Sequence, residues 1–366
     1  MLRPYKYIPH KMEKMQEFID YIFFEVWCKA PEGLLFGRDL FAGYTDLEKV
    51  IASFGYSQNP PQRGKQFFTD IKNIYTQFAD LSSEDIQQLR TWYRANNDIE
   101  AICNNPNSVL LRYTDLSAIS YKHSSLSGML AEFFKGLYSQ SLLRLEKIRD
   151  VIGEIDDHYE ELMKENGRPS KCPFCGITDM LVDHSKRDSY DHYLPKALYP
   201  FNSINFRNLA PACHHCNSSY KSTKEPSYKP KDPAGTTQRR KAFYPYSETQ
   251  VGISVAVNVT GIEDGHIKKE NIQLTFGPET LREEISTWCD LYGIEERYKA
   301  KCSGRDGKDW LETIRIQKDK RNIDASESIN DAKELAQIDP LANSNFLKVA
   351  FLEGCHRGGL LEAYEE

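Results

Sequence analysis

Apolar residues in the first 165 positions recur at the spacing of one helix face. Between Lys11 and Cys28 they fall at Met12, Met15, Phe18, Ile19, Ile22, Phe23 and Val26, the three-and-four rhythm that gives a helix a single buried stripe. Phe67, Phe68, Ile71, Ile74, Tyr75 and Phe78 carry a second helix, and Ile86, Leu89 and Trp92 a third, capped by Ser82 or Ser83. The Asn-rich stretch 104–108 breaks the pattern. From about Leu126 to Glu165 it returns as one or two long helices, through Leu130, Phe133, Phe134, Leu137, Leu142, Leu145, Ile148, Ile152 and Ile155, stopped by Asn166, Gly167 and Pro169. The period then changes. Val251, Ile253, Val255, Val257 and Val259 alternate strictly, and Ile272, Leu274 and Phe276 do so again, which predicts a half-buried strand pair. After Pro278 helical spacing resumes with Leu281, Ile285, Trp288 and Tyr292, then over 310–316 and 346–352. The fold class expected is α+β and mainly helical, without an internal repeat.

With 366 residues the chain has room for two or three domains and a sizeable core. No run approaches the roughly 20 apolar residues that span a bilayer, and the first residues lack the apolar centre of a signal peptide, so a cytoplasmic protein without a membrane partner is expected. Cys28, Cys103, Cys289, Cys302 and Cys355 are scattered through apolar patterns and read as reduced packing residues. The net charge of −6 argues against a surface coated for nucleic acid, but its distribution changes that picture. Residues 164–241 hold 14 Lys+Arg against 7 Asp+Glu, a basic island of the kind a phosphate-binding surface requires.

The island coincides with the chain's candidate chemistry. Cys172/Cys175 and Cys213/Cys216 are two Cys-x-x-Cys knuckles, each able to turn both thiolates toward one ion, and four sulfurs so spaced predict a closed tetrahedral zinc site. Between and beside them stand Asp191, His192, Asn208 and Asn217. A carboxylate, an imidazole and two carboxamides drawn together by a zinc clasp suit hydrolysis, in which an imidazole accepts a proton from water and a hard cation neutralises charge on the leaving oxygen. Lys224 to Arg240 is proline-broken and basic and reads as a surface loop. Lys196, Lys221, Lys224, Arg239 and Arg240 are the candidate nucleic-acid contacts, with Lys229, Lys231 and Lys241 alongside and Tyr228 available to stack. His184, His214 and His215 read as bystanders; either of the last two can also line the groove or replace a cysteine as ligand.

Asp191-His192 with Pro195 three further on, Asn208-Leu209, and Cys213-x-x-Cys216-Asn217 after Cys172-x-x-Cys175 resemble the HNH endonucleases, the ββα-metal nucleases, in their zinc-clasped form. About 50 of the 366 residues carry the likeness. Together with the apolar patterns it divides the chain into a helical domain over 1–168, an HNH module over 169–246, and a strand pair with helices over 247–366 packed on that module. It implies His192 as general base, Asp191 and Asn217 as ligands of one Mg²⁺ (or Mn²⁺), Asn208 as the residue pinning the loop that orients the imidazole, and products with 3′-hydroxyl and 5′-phosphate ends. Two departures stand out: Asn217 fills a position often given to His, and Tyr220 stands where the family often has Lys, with Lys221 one later. In a regular strand Asp191 and His192 would face opposite ways.

The expected activity is DNA phosphodiester hydrolysis. An RNA- or tRNA-cleaving nuclease, and a zinc-dependent nucleic-acid-binding module without catalysis, stay open as alternatives. DHYLPK, the Asn-Leu-x-Pro before the second knuckle, and Phe243-Tyr-Pro-Tyr246 are further similar to HNH proteins of bacterial anti-phage defence loci, among them the HNH subunits of Septu-type systems, which work beside an ATPase. That implies an ATPase partner. The helical first 168 residues read as a scaffold, with a partner-binding or homo-oligomer surface as the sharper alternative.

Overall fold

A computed structural model describes residues 3–116, 125–182, 186–263 and 266–363. The architecture is α+β and mainly helical, with two separate two-stranded antiparallel sheets among the described residues. β1 (Tyr190–His192) pairs with β2 (Leu209–Pro211), and β3 (Ser254–Val259) with β4 (Ile272–Gly277). The second pair begins three residues later than the alternation at Val251 predicts. None of the helices among the described residues is long and apolar enough to cross a membrane.

The first apolar stripe is continuous, but its winding is not. Glu13–Tyr21 is α-helical, Ile22–Val26 widens to a π turn, and Trp27–Glu32 tightens to a 3₁₀ helix that ends at Gly33 with φ +83°. The widening keeps Ile22, Phe23, Val26 and Trp27 all inward. Phe23 stacks on Tyr93 with ring centroids 4.1 Å apart, and Phe201, from the loop joining β1 to β2, packs edge-on against Phe23 and Phe134. The helical core thus runs directly into the hairpin.

Helix Ser83–Asn97 carries polar attachments to the β1–β2 loop. Its cap is Ser82, whose hydroxyl accepts from the Asp85 amide at 3.1 Å, worth about 1 kcal/mol. Near its other end, fully buried Asn96 donates to the carbonyls of Leu111 and Pro200 and accepts from the Leu111 amide, while Asn202 donates to the Asn96 carbonyl. The β1–β2 loop is therefore fastened to a helix about a hundred residues earlier.

Where the sequence predicts one or two long helices after Leu126, four short ones stand: Leu126–Leu137, Gln140–Leu143, Glu146–Ile152 and Ile155–Glu165. Ser139, Leu145 and Glu154 are extended and Gly153 has φ +76°, so the chain turns while its apolar spacing persists. Helix Ile155–Glu165 stops at Asn166 and Gly167 (φ +72°) as the sequence indicates.

The last third supplies a backing layer. Helices Arg282–Tyr292 and Ile294–Ser303 meet at Gly293, which adopts φ +59° and whose missing side chain leaves the space taken by the Tyr220 ring. Helix Asn345–Arg357 lies across β3, with Gly354 against the Val257 carbonyl, which accepts from Arg357 at 3.0 Å. A strap at the start of the chain closes the assembly. The Arg3 amide donates to Pro173, the Tyr5 amide to Pro245, and the Tyr5 hydroxyl to Pro211. Buried side chains form one connected cluster from Tyr5 to Cys355, so the segments on either side of 168 and 246 share a core.

Candidate functional site

Cys172 and Cys175 sit on a tight turn. The amides of Cys175 and Gly176 both point back to the Cys172 carbonyl, and Gly176 takes φ +69° to allow it. Cys213 and Cys216 lie at the entry to a π-wound helical turn, His215–Lys221. All four sulfurs are buried and within 4.8 Å of one another. That is a group able to hold a metal ion, and four thiolates closed to solvent suit structural Zn²⁺. Among the described residues no second group of three or more His, Cys, Asp or Glu side chains converges in this way.

The last third of the chain completes the clasp. Trp288 Nε1 donates to the Phe174 carbonyl at 2.6 Å and the Tyr298 hydroxyl to the Cys175 carbonyl at 2.8 Å. Arg297 donates to Cys216 Sγ at 3.2 Å and to Thr178 Oγ1 at 2.9 Å, and its guanidinium lies over the Tyr220 ring. Burial alone would lower the Arg297 pKa; Cys175 and Cys216 more than reverse this, so it remains a cation beside an anionic sulfur cluster. Sequence reading missed Arg297. The signal was an arginine on the buried stripe of Ile294, Tyr298 and Cys302.

The hairpin separates its two neighbouring polar residues. Pairing of Asp191 with Ala210 and His192 with Leu209 puts the two side chains on opposite faces. His192 Nε2 lies 2.9 Å from the Ser203 carbonyl, and its ring stands edge-on to Tyr138 at 4.7 Å. A carbonyl only accepts, so Nε2 carries the proton and Nδ1 keeps the lone pair. Burial pushes the His192 pKa down to about 3, Lys196 adds to the effect, and the Ser203 carbonyl opposes it. Asn208 accepts from the Leu194 amide at 2.7 Å and donates to its carbonyl at 3.0 Å, tying down the residue two beyond His192.

On the other face Asp191 meets the helical turn. Lys221 Nζ is 2.9 Å from Asp191 Oδ1 and 2.8 Å from the His192 carbonyl, with the two side chains 0% and 3% exposed. Asp191 Oδ2 is buried with no hydrogen-bond partner. Burial raises the Asp191 pKa, and the Lys221 ammonium pulls it back. Asn217, one turn before Lys221, donates to the Tyr190 carbonyl at 3.4 Å. A carboxylate and a carboxamide are oxygen donors of the kind a hard divalent ion such as Mg²⁺ takes.

The predicted nucleic-acid contacts fare differently. Lys221 is removed from that list as the structure stands, because its ammonium is buried on Asp191. Arg240 is likewise buried, pairing with Asp290 at 2.8 Å and donating to the Glu225 and Pro226 carbonyls. Arg239 spends its guanidinium on the carbonyls of Ile102, Asn105 and Ser108, and half-buried Lys196 donates to the Tyr138 carbonyl. Lys224 is exposed and reaches the Asp290 carbonyl. Lys196, Lys221, Arg239 and Arg240 are therefore engaged within the protein as the structure stands. His214 and His215 are exposed, and His184 lies outside the described residues.

No family model matches the chain, and no solved structure matches it. Two curated proteins are similar to short parts of it. Protein ea31 of Escherichia phage lambda is 34% identical over 84 residues, 22% of this chain and 26% of that protein. Septu protein PtuB of Bacillus thuringiensis is 39% identical over 64 residues, 17% of this chain and 24% of that protein. The chain thus spans about a quarter of the length of these relatives. A segment of the chain is similar to a Septu protein, and the chain carries a buried four-cysteine cluster able to hold a metal ion.

Proposed function

We propose that the chain is a metal-dependent HNH endonuclease that hydrolyses DNA phosphodiester bonds, with His192 as general base. One observation carries the reading: a short hairpin beside the four-cysteine cluster presents Asp191 to the helical turn on one face and His192 on the other, with the His192 proton held on Nε2 by the Ser203 carbonyl. That arrangement leaves the Nδ1 lone pair to accept a proton from water; burial holds the pKa low, which keeps the ring neutral at physiological pH but makes it a weak base in the free protein. An incoming phosphate brings negative charge that raises this pKa and so strengthens the base. Asp191 and Asn217 would hold the divalent ion, which when bound neutralises charge building on the leaving oxygen. Asn208 acts at one remove, fixing Leu194 and with it the end of β1.

Supercoiled plasmid incubated with zinc-loaded protein and Mg²⁺ or Mn²⁺ should be nicked, and His192→Ala should lower the rate by about 100-fold or more, the usual contribution of a general base. Equal inactivity of both proteins at equal DNA binding would instead make the chain a binding module, and preference for tRNA offered in parallel would move the substrate to RNA. The similarity to a Septu protein supports a role in anti-phage defence beside an ATPase partner. Purification from the native locus should recover that ATPase with the chain.

A further inference from the structure

We propose that Lys221 is a built-in cation occupying the place on Asp191 that a divalent ion would take, so that the hydrolytic centre excludes hard metal ions until a phosphate draws the lysine away. The inference rests on the nuclease reading and says how that site is regulated. Its first support is the completeness of the ion pair: the ammonium bridges Asp191 Oδ1 and the His192 carbonyl with no side-chain surface in water. A buried carboxylate already matched by one cation gains little from a second and suffers the repulsion between the two, which low-dielectric surroundings do not screen.

Access is the second support. Asp191 Oδ2 has neither a donor nor solvent against it, whereas Mg²⁺ and Mn²⁺ require about six oxygen ligands and ordinarily keep several waters. The oxygen suited to a metal is sealed while the turn is seated. Third, Lys221 is tied to its surroundings through the backbone: it ends the turn His215–Lys221 and precedes Ser222 at φ +45°, while the preceding ring, Tyr220, lies against Gly293 and under Arg297. Movement of the last turn would carry the ammonium off Asp191 and open Oδ2 together. A substrate phosphodiester offers the anion to which Lys221 can transfer, so metal binding and nucleic-acid binding become coupled.

Mn²⁺ binding to the full chain, zinc-loaded and free of nucleic acid, followed by electron paramagnetic resonance, tests this directly. Wild-type protein should bind Mn²⁺ weakly, and Lys221→Met and Lys221→Gln should each bind at least about tenfold tighter, with the gain abolished when Asp191→Asn is added. Tight stoichiometric Mn²⁺ binding by the wild type, or no gain in either variant, overturns the proposal. Should one variant lose its zinc or its cooperative melting, the other variant and the wild-type affinity still decide. Failure here with His192-dependent plasmid nicking intact removes the lysine gate alone; absence of nicking under every metal condition removes the nuclease reading itself.

Discussion

Around the four cysteines, neighbouring polar groups close on one another: Arg297 on Cys216 Sγ, Trp288 on the Phe174 carbonyl, Tyr298 on the Cys175 carbonyl. Around Asp191 they do not. One carboxylate oxygen is held by a lysine and the other is buried alone, and the hydroxyl of Tyr292, its pKa raised by burial and then by nearby Asp191, also lacks a partner. On the proposed nuclease reading the first is a structural metal site through which nothing passes, and the second would have to admit water and substrate. A structural site can be fully satisfied, whereas a reactive one has to keep valences in reserve.

Breaking the satisfied side should cost most. Cys172→Ser should release zinc and unfold the central module, because a structural zinc contributes on the order of 10 kcal/mol, comparable with the whole stability of a typical domain. Elemental analysis with near-ultraviolet circular dichroism checks this, and wild-type melting behaviour in the variant would show that the cluster is not structural. Arg297→Leu leaves the sulfur cluster without its counter-charge and should cost about 3 kcal/mol, with a zinc affinity lower by roughly 10- to 100-fold. Competition against a chelating dye reads the affinity, and an unchanged value would mean that Arg297 only packs.

The smallest effect concerns the brace behind the hairpin. His158 lies 2.6 Å from the Tyr190 hydroxyl, and burial, then His10 and Arg187, push its pKa down to about 3. The folded state therefore keeps this ring neutral while the unfolded chain protonates it near ~6.5. Its contribution to stability is complete above that pH and is lost as the pH falls toward 3, a cost of about 2 kcal/mol by pH 5. Urea midpoints at pH 7.5 and 5 should fall further apart in the wild type than in His158→Gln; equal spacing would mean that the ring is charged when folded.

The helical class, the Ser82 cap, the stop at Gly167, the paired strands and the four clustered cysteines were all readable because each rests on local spacing or local backbone chemistry. The breaks at Ser139, Leu145 and Gly153 were not, because a stripe that faces one core keeps its period while the axis turns beneath it. Arg297 joins a partner 81 positions away and Lys221 one 30 away, and neither distance leaves a periodic trace. In the basic island, charge alone misled. Arg240 and Lys221 look like free cations in a linear count, yet in the folded chain each is buried on a carboxylate, Asp290 and Asp191.

The strap at Arg3 and Tyr5 also fixes an order of events during synthesis. Tyr5 is made well before the carbonyls that receive its hydroxyl and amide, which belong to Pro211, 206 residues later, and Pro245. Early helices can form while translation continues, but this segment must wait, unattached, until those prolines emerge. A bulky fusion placed just ahead of it would burden the final stage of maturation and spare the first.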